Sequence, residues 1–216
     1  MSIYSLTYDE LTRMLKAYTF FFLALLGIYF GFREWLDLQV TVLQMITGCF
    51  TAATLAFGFA AKEMKWNQPK LAKYLGKPIV HGIWYGELST NFKRNGETIA
   101  PIAIVFVIKQ TYLSISITSY TSTMDGQSSI EALLQNAKND TTRLVYLYEL
   151  KREFQGENKF TVGAGELKLQ ENGTRLKGHY WTNSPTQGSV DLKLIDRDFD
   201  SVDSFEQFLK KYQNKI

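Results

Sequence analysis

The chain has 216 residues, a net charge of +3 and a single cysteine. The charge is too small to predict nucleic-acid binding by itself, so no DNA or RNA duplex is expected as a partner. One cysteine cannot form an intrachain disulfide, which fits a reducing compartment.

Two apolar segments without any charged residue occupy residues 17–32 and 38–61. A helix that spans a bilayer needs roughly 20 mostly apolar residues. The second segment meets this length, and the first reaches it if Tyr18 and residues 32–35 lie in the interfacial zones. A buried hairpin in a soluble domain is one alternative. A signal peptide is another, but a second apolar segment follows at once and no small-residue cleavage pattern separates them. We therefore predict that residues 1–62 form a transmembrane helical hairpin.

Basic residues lie before the first apolar segment and after the second, but are scarce in the turn between them. Arg13 and Lys16 precede the first segment and five lysines lie between residues 62 and 77, whereas residues 33–37 carry one arginine and two acidic residues. Short cytoplasmic segments are the ones enriched in Lys and Arg. We expect a multi-pass membrane protein with both termini in the cytoplasm, and residues 63–78 as a basic connector beside anionic headgroups.

Small residues recur along both apolar segments. Gly27 and Gly31 form a GxxxG pattern, and Gly48, Ala52 and Ala56 recur every fourth residue. Small residues let helix backbones approach closely in lipid. They serve either the packing of the two helices on each other or contacts between copies of the protein. Neither segment contains an ionisable residue other than Cys49 and tyrosines, which argues against a transporter or a proton pathway.

From residue 79 onward the apolar residues recur with period two, and turn signals separate the runs. Asn172-Gly173 between two alternating runs is the strongest hairpin signal. Short strands at such spacing predict a sandwich or a small antiparallel barrel within residues 79–216. The predicted strands are residues 79–90, 102–108, 111–118, 144–152, 159–169, 175–182 and 188–195.

Two helices are predicted in this region. In residues 128–137 the apolar side chains Ile130, Leu133, Leu134 and Ala137 share one helical face, which predicts a short inserted helix. Near the end of the chain, Ser204 and Gln207 form a candidate capping box. The residues that follow give that C-terminal helix an apolar stripe, which consists of Phe205, Phe208, Leu209 and Tyr212.

The sequence leaves open which strand faces point into the barrel. In residues 110–118 one face is aliphatic and the other carries Gln110, Tyr112, Ser114, Ser116 and Thr118. The aliphatic face belongs in the core by default, but a small barrel that holds one ligand can have a partly polar lumen. Two later strands show similar mixed faces, namely Leu144, Tyr146 and Tyr148, and Leu176, Gly178, Tyr180 and Thr182.

Residues typical of catalysis are scarce. The chain has two histidines and none of the common hydrolase, protease or phosphate-loop motifs. No spacing of His, Cys and acidic residues suggests a metal site, so we predict no enzyme, no cofactor and no metal. What remains are aromatic rings, hydroxyls and scattered arginines and lysines, which suit a nucleotide-sized ligand and equally suit an ordinary tyrosine-rich barrel.

Several strand motifs, in this order, resemble a known family. The first strand carries a W-x-G-x-L pattern at Trp84, Gly86 and Leu88. The later motifs are Ile108-Lys-Gln-Thr-Tyr112, Ser128-Ser129, Leu144-Val-Tyr-Leu-Tyr148, Gly163-Ala-Gly-Glu-Leu167 and Leu176-Lys-Gly-His-Tyr-Trp-Thr182 with Thr186 and Gly188. Together with the hairpin, the chain resembles the SMODS-associating two-transmembrane β-strand-rich effectors of CBASS antiphage systems.

The resemblance implies a barrel of about eight strands that binds a cyclic di- or oligonucleotide, above all a cyclic dinucleotide. A cognate nucleotidyltransferase would make this signal during phage infection. Binding would drive formation of a homo-oligomer and disruption of the bacterial inner membrane by the helices, so that the infected cell dies before the phage matures.

The resemblance also implies ligand contacts by motif residues. Ser114 and Arg143, a hydroxyl and a cation from the same strands, complete the predicted set. The family often has a basic residue two positions after Y-x-T, and here that position is Ser184. The predicted ligand-binding residues are Gln110, Tyr112, Ser114, Arg143, Tyr146, Tyr148, Tyr180 and Thr182, and those predicted for oligomerisation are Gly27, Gly31, Gly48, Ala52 and Ala56.

A different function fits the same elements. A constitutive membrane-anchored barrel that binds a lipid or a protein, without any nucleotide, would need the same hairpin and the same strands. An anchored hydrolase is disfavoured, because an acid, a base and a nucleophile cannot be assembled from the residues present.

Overall fold

The computed structural model describes residues 7–35, 39–94, 96–136, 138–151, 161–184, 186–199 and 201–215. The described chain begins with two long helices, α1 (Tyr8–Trp35) and α2 (Val42–Glu63). Both are long and apolar enough to cross a membrane, over Tyr8–Arg33 and Val42–Glu63. Their apolar windows are 0% and 17% buried within the protein, which is not the behaviour of a core hairpin.

Each long helix begins at a capping box. At the start of α1, the Glu10 N–H donates to Thr7 Oγ1 (3.3 Å) and the Thr7 N–H donates to Glu10 Oε2 (2.9 Å). At the start of α2, Thr41 and Gln44 make the same reciprocal pair of hydrogen bonds. These bonds satisfy backbone N–H groups that have no partner within the helix, and so they fix where the helices begin.

Aromatic side chains, rather than the small residues, join α1 to α2. Tyr18 makes edge contacts with Phe50 and Phe57, with ring centroids 6.3 and 5.6 Å apart, and its hydroxyl lies 2.9 Å from Thr54 Oγ1. The buried residues of α2 are Met45, Cys49 and Ala53. The predicted small residues, Gly27, Gly31, Gly48, Ala52 and Ala56, are exposed, so they do not pack the helices of one hairpin on each other.

The connector contains a helix that the sequence analysis did not predict. Helix α3 (Pro69–Leu75) begins with proline and ends at Gly76, whose φ of +67° is left-handed. A side chain at Gly76 would collide with the Arg13 guanidinium of α1. The left-handed backbone is therefore what favours glycine here, whereas the flexible Arg13 side chain could shift to accommodate a Cβ.

Eight strands of the described chain form a closed antiparallel barrel in the order β1-β10-β9-β8-β7-β6-β5-β4. The predicted fold class, two apolar helices followed by a small antiparallel barrel with a C-terminal helix, is confirmed. The barrel strands are β1 (Gly82–Thr90), β4 (Ile102–Gln110), β5 (Ile115–Tyr120), β6 (Asp125–Asn136), β7 (Thr141–Lys151), β8 (Thr161–Gln170), β9 (Arg175–Thr182) and β10 (Gln187–Asp196), and a side hairpin pairs β2 (Lys93–Arg94) with β3 (Glu97–Thr98).

Strand β6 corrects one prediction. Residues 128–136 belong to a strand, so the predicted inserted helix is wrong, and residue 137 lies outside the described ranges. Ser128 pairs with Tyr148 and Ile130 pairs with Leu147, which leaves Ser129 as the extra residue of a β-bulge. A bulge shifts the alternation by one residue. The apolar residues therefore fall at intervals that mimic a helix.

The strand predicted at residues 111–118 is displaced. Thr111 and Ser114 form a turn, in which the Thr111 N–H donates to the Ser114 carbonyl, and the strand begins at Ile115. Ile115 and Ile117 point into the barrel, so the aliphatic face of β5 belongs to the core. The polar-lumen alternative is wrong for β5. It is right for β7 and β9, whose mixed faces point inward.

The C-terminal helix covers the outside of the barrel. Helix α4 (Phe205–Tyr212) begins at Ser204, whose Oγ accepts the Gln207 N–H at 3.1 Å. The Gln207 side chain accepts the N–H of Asp203 rather than that of Ser204, so only half of the predicted capping box forms. Phe208 is fully buried and stacks on Tyr85, 5.3 Å between ring centroids, over the outer face of β1.

Candidate ligand-binding site

The two ends of the barrel differ. At the end beside the connector, Trp84 Nε1 donates to the Val80 carbonyl, and the Arg197 guanidinium, which lies over the Trp84 ring, donates to the carbonyls of Ile79 and His81. Aliphatic side chains fill the lumen above this closure. We call the opposite end, where Thr90, Thr161, Thr182 and Gln187 lie, the mouth.

Three tyrosines face the lumen beneath the mouth, and we call them the tyrosine cluster: Tyr146, Tyr148 and Tyr180. Tyr146 and Tyr180 each pair with Gly165 from opposite sides. The rings of Tyr146 and Tyr148 lie 5.7 Å apart between centroids. Tyr146 and Tyr180 are 4% and 6% exposed, whereas Tyr148 is half-buried. Tyr148 is therefore the member of the cluster that a molecule entering the mouth would meet first.

Glycines make room for these rings. A Cβ at Gly163 would overlap the Tyr148 ring, and a Cβ at Gly165 would overlap the Tyr146 ring. On β10, a Cβ at Gly188 would crowd the Tyr180 ring. Bare backbone beside an aromatic ring lets the ring lie flat across the neighbouring strand. The Gly-x-Gly pattern of β8 is thus explained by the tyrosines of β7.

The phenol groups of the cluster are uncharged at neutral pH. Burial raises the pKa of Tyr146 and of Tyr148 above the ordinary tyrosine value. Burial also raises the pKa of Tyr180, and a hydrogen bond with Thr90 opposes this effect. Each phenol can therefore donate a hydrogen bond as well as accept one. Beside them, Thr182 Oγ1 lies 2.6 Å from Thr186 Oγ1.

One carboxyl group lies on the same inner face. Glu131 of β6 is directly opposite Tyr146 in the β6–β7 pairing and is 6% exposed. Its carboxyl is hydrogen-bonded by the Ser128 hydroxyl, and burial raises the pKa of this carboxyl above its usual value. The sequence analysis missed Glu131 because residues 128–137 were predicted as a helix. The Ser128-Ser129 motif, which lies at the bulge, was the sequence feature that could have indicated a strand here.

Four of the eight predicted ligand residues meet at this site: Tyr146, Tyr148, Tyr180 and Thr182. Gln110 lies at the closed end of the barrel. Its Oε1 accepts the N–H groups of Val80 (2.7 Å) and His81 (3.0 Å), and its Nε2 donates to the Pro78 carbonyl. These bonds tie the connector to β4.

Tyr112 joins the barrel to α1. Its hydroxyl donates to the Glu10 carbonyl at 2.9 Å, and its ring packs edge-on against Trp66 with 5.0 Å between centroids. Ser114 lies in the β4–β5 turn, with its Oγ 2.9 Å from Thr111 Oγ1. Both residues are thus at the connector end, away from the tyrosine cluster.

Arg143 lies on the outer face of β7. Its guanidinium makes an exposed ion pair with Glu166 of β8, 2.8 Å between Nη1 and Oε1. On the barrel strands, the pairing and burial place off the lumen face every Lys, Arg and His residue whose side chain the structure describes. The described residues also contain no group of three His, Cys, Asp or Glu that could hold a metal. The site can stack on a planar ring and exchange hydrogen bonds with it.

Comparison with known proteins agrees with this geometry. The model of the Cap15 cyclic dinucleotide receptor domain matches residues 76–194, which include seven strands of the barrel completely and β10 as far as Leu194. The chain belongs to the Cap15 family. The resemblance inferred from the strand motifs, to a CBASS effector family with a cyclic-nucleotide receptor, is thereby confirmed. Cap15 is a family of receptor domains rather than of enzymes.

A relative in Staphylococcus schleiferi is named CD-NTase-associated protein 15. It is 25% identical to this chain over 159 residues, which cover 73% of this chain and 82% of the relative. The similarity therefore extends well beyond one motif.

Proposed function

We propose that the barrel binds a cyclic dinucleotide at its mouth and that binding makes the two N-terminal helices disrupt the bacterial inner membrane of an infected cell. The tyrosine cluster, in a Cap15 receptor domain joined to two helices of membrane-spanning length, is the observation that carries this proposal. Death of the infected cell before the phage matures would be the outcome. In this proposal residues 1–62 act on the membrane and residues 79–216 bind the cyclic dinucleotide. Residues 63–78 connect these two parts.

We assign direct ligand contact to the tyrosine cluster and Thr182. Aromatic faces stack on bases whatever the sequence, and hydroxyls donate to base edges and phosphates. The partners already made by Gln110, Tyr112, Ser114 and Arg143 leave those four residues as weaker candidates for ligand contact.

The signal is proposed to come from a cognate nucleotidyltransferase. The name of the Staphylococcus schleiferi relative associates that protein with such an enzyme, and the family model describes a cyclic dinucleotide receptor. A ligand shifts an assembly only if it binds one state better than the other. Ligand binding would therefore favour the oligomeric state over the resting state.

The proposed oligomer uses the small residues of the membrane helices. Apart from the helix's own nearby backbone and the two chain neighbours, no described atom lies within 4 Å of a Cβ placed on Gly27, Gly31 or Gly48, and Ala52 and Ala56 are exposed. Because the hairpin packs through other residues, this stripe is available to a second copy in the bilayer. Basic residues on both sides of the hairpin support the cytoplasmic location of the two termini.

The first test titrates the full-length protein, held in detergent or nanodiscs, with a panel of cyclic dinucleotides. We expect saturable binding of at least one member, and ligand-dependent dye release from liposomes that contain the protein. Absence of binding across the panel would overturn the proposal. Dye release that is equal with and without ligand would favour the constitutive barrel.

A further inference from the structure

Glu131 is the one charged residue on the lumen face of the described barrel strands. It lies directly opposite Tyr146, next to the tyrosine cluster, and is 6% exposed. A carboxyl group is unexpected here, because the proposed ligand carries two negatively charged phosphates. Its presence restricts which part of such a ligand can enter the lumen.

Electrostatics indicates which part of the ligand, a base or a phosphate, can enter the lumen. A carboxylate in a site of low dielectric repels a phosphate strongly, and no cation on the described strands faces the lumen to offset it. The predicted phosphate partner, Arg143, points outward and pairs with Glu166. The uncharged base, rather than the phosphates, is the part that this lumen can admit.

We infer that Glu131 reads the base, by accepting hydrogen bonds from the adjacent N–H groups of a guanine edge. This inference rests on the proposed function and names the ligand class more closely. An ionised carboxyl group has two acceptor oxygens with about four lone-pair sites, of which Ser128 occupies one. Guanine presents two neighbouring N–H donors on its Watson–Crick edge, whereas adenine and uracil each present a single donor group there.

The bulge holds the carboxyl in place. The Ser128 hydroxyl accepts the Ile117 N–H at 2.8 Å and lies 3.0 Å from the Ile117 carbonyl, so it is fixed between β5 and β6. The same hydroxyl hydrogen-bonds Glu131. A reading group needs such support, because an imprecisely held acceptor discriminates poorly.

Tyr148 completes the arrangement. It pairs with Ser128 across the β6–β7 ladder, is half-buried and lies one layer nearer the mouth than Glu131. A base stacked on Tyr148 would point an edge toward Glu131. Burial raises the pKa of the Glu131 carboxyl because water is excluded, and two N–H donors would restore hydrogen bonds that the carboxylate has lost.

The test compares three cyclic dinucleotides, cyclic di-GMP, cyclic di-AMP and cyclic di-UMP, by calorimetry on the full-length protein in detergent. The variants are Glu131→Gln and, as a matched control, Glu166→Gln, which alters a carboxylate on the outer face. We expect the wild type to prefer cyclic di-GMP. Glu131→Gln should lower the affinity for cyclic di-GMP by about tenfold or more and the affinity for the other two ligands by less. Glu166→Gln should leave all three affinities unchanged.

Other outcomes are informative in distinct ways. If Glu131→Gln weakens all ligands equally, or leaves their order unchanged, Glu131 does not read the base. A wild type that prefers ligands without guanine also overturns the inference while sparing the proposed function. No binding of any cyclic dinucleotide overturns both. If Glu131→Gln unfolds, Glu131→Asp replaces it, and the preference for cyclic di-GMP should then persist with reduced affinity.

Discussion

Tyr148 lies where the ligand would enter, half-buried between Gly163 and the mouth. Its neighbours Tyr146 and Tyr180 are almost fully buried, so the lumen is filled by the protein's own rings. A base can enter only if some of these rings move. If the proposed site is right, the residues that bind the ligand are also the ones whose movement changes the packing of the lumen.

Replacing Tyr148 with alanine should weaken ligand binding by about tenfold or more, because base–aromatic stacking contributes about 1–3 kcal/mol. The matched control is Trp181→Ala, since Trp181 is an aromatic residue near the same end that is 49% exposed on the outer face. Calorimetry with the bound cyclic dinucleotide measures both. Equal affinity of Tyr148→Ala and wild type, with the barrel folded, would show that Tyr148 is not a ligand contact.

At the scale of elements, α1, the connector and the β4–β5 turn meet at one buried junction. Lys77 Nζ lies 3.5 Å from Glu10 Oε1, and the two side chains are 3% and 6% exposed. Trp66 Nε1 donates to the Lys77 carbonyl at 3.0 Å, and Tyr112 hydrogen-bonds the Glu10 carbonyl. Burial lowers the pKa of Lys77, and the charge of Glu10 opposes this effect. The junction attaches α1 to the barrel.

Replacing Lys77 with methionine should destabilise the protein by about 3–5 kcal/mol, because it leaves the Glu10 carboxylate buried without its partner. Lys70→Met, at an exposed position of the same connector, serves as control and should change little. Thermal unfolding in detergent measures both. The double variant Lys77→Met with Glu10→Gln should recover part of the lost stability. If its loss of stability equals the sum of the losses in the two single variants, Lys77 and Glu10 do not interact directly.

At the scale of the whole molecule, the barrel surface is unevenly covered. Helix α4 packs over the outer face of β1 and β4, where Phe208 and Tyr212 bury Ile83, Val105 and Val107. The membrane hairpin attaches at the opposite end from the mouth, through the junction at Tyr112. The tyrosine cluster and the attachment of the two apolar helices are therefore at opposite ends of the barrel, and the strands between them are the physical link.

Replacing Ala52 with leucine should abolish ligand-induced dye release from liposomes and leave ligand affinity unchanged, because a large side chain blocks close contact between helices of different copies. Thr51→Leu, an exposed neighbour on a different face of α2, is the control and should release dye normally. Normal dye release from Ala52→Leu would remove the small-residue stripe from the mechanism.

Local patterns in the sequence were enough to predict α1, α2, α4 and most strands, but not α3. Uncharged apolar length predicts the two spans, and alternation with turn signals predicts β9 at residues 175–182 with the observed bounds. The tyrosines of β7 and β9 could be named as candidate ligand residues because their motifs resemble those of a family, although the sequence left open which strand faces line the lumen. These features depend on neighbours close in the chain, which is why the sequence reveals them.

The tertiary structure alone decided which side chains meet. The bulge at Ser129 reverses the alternation of β6, and it becomes visible only against the partner strand β7; this reversal places Glu131 in the lumen. Arg143 points outward because it precedes the inward-facing Leu144, and Tyr112 reaches α1 because the connector folds back beside the barrel. Strand direction and period are local properties, whereas register and closure depend on contacts between residues far apart in sequence.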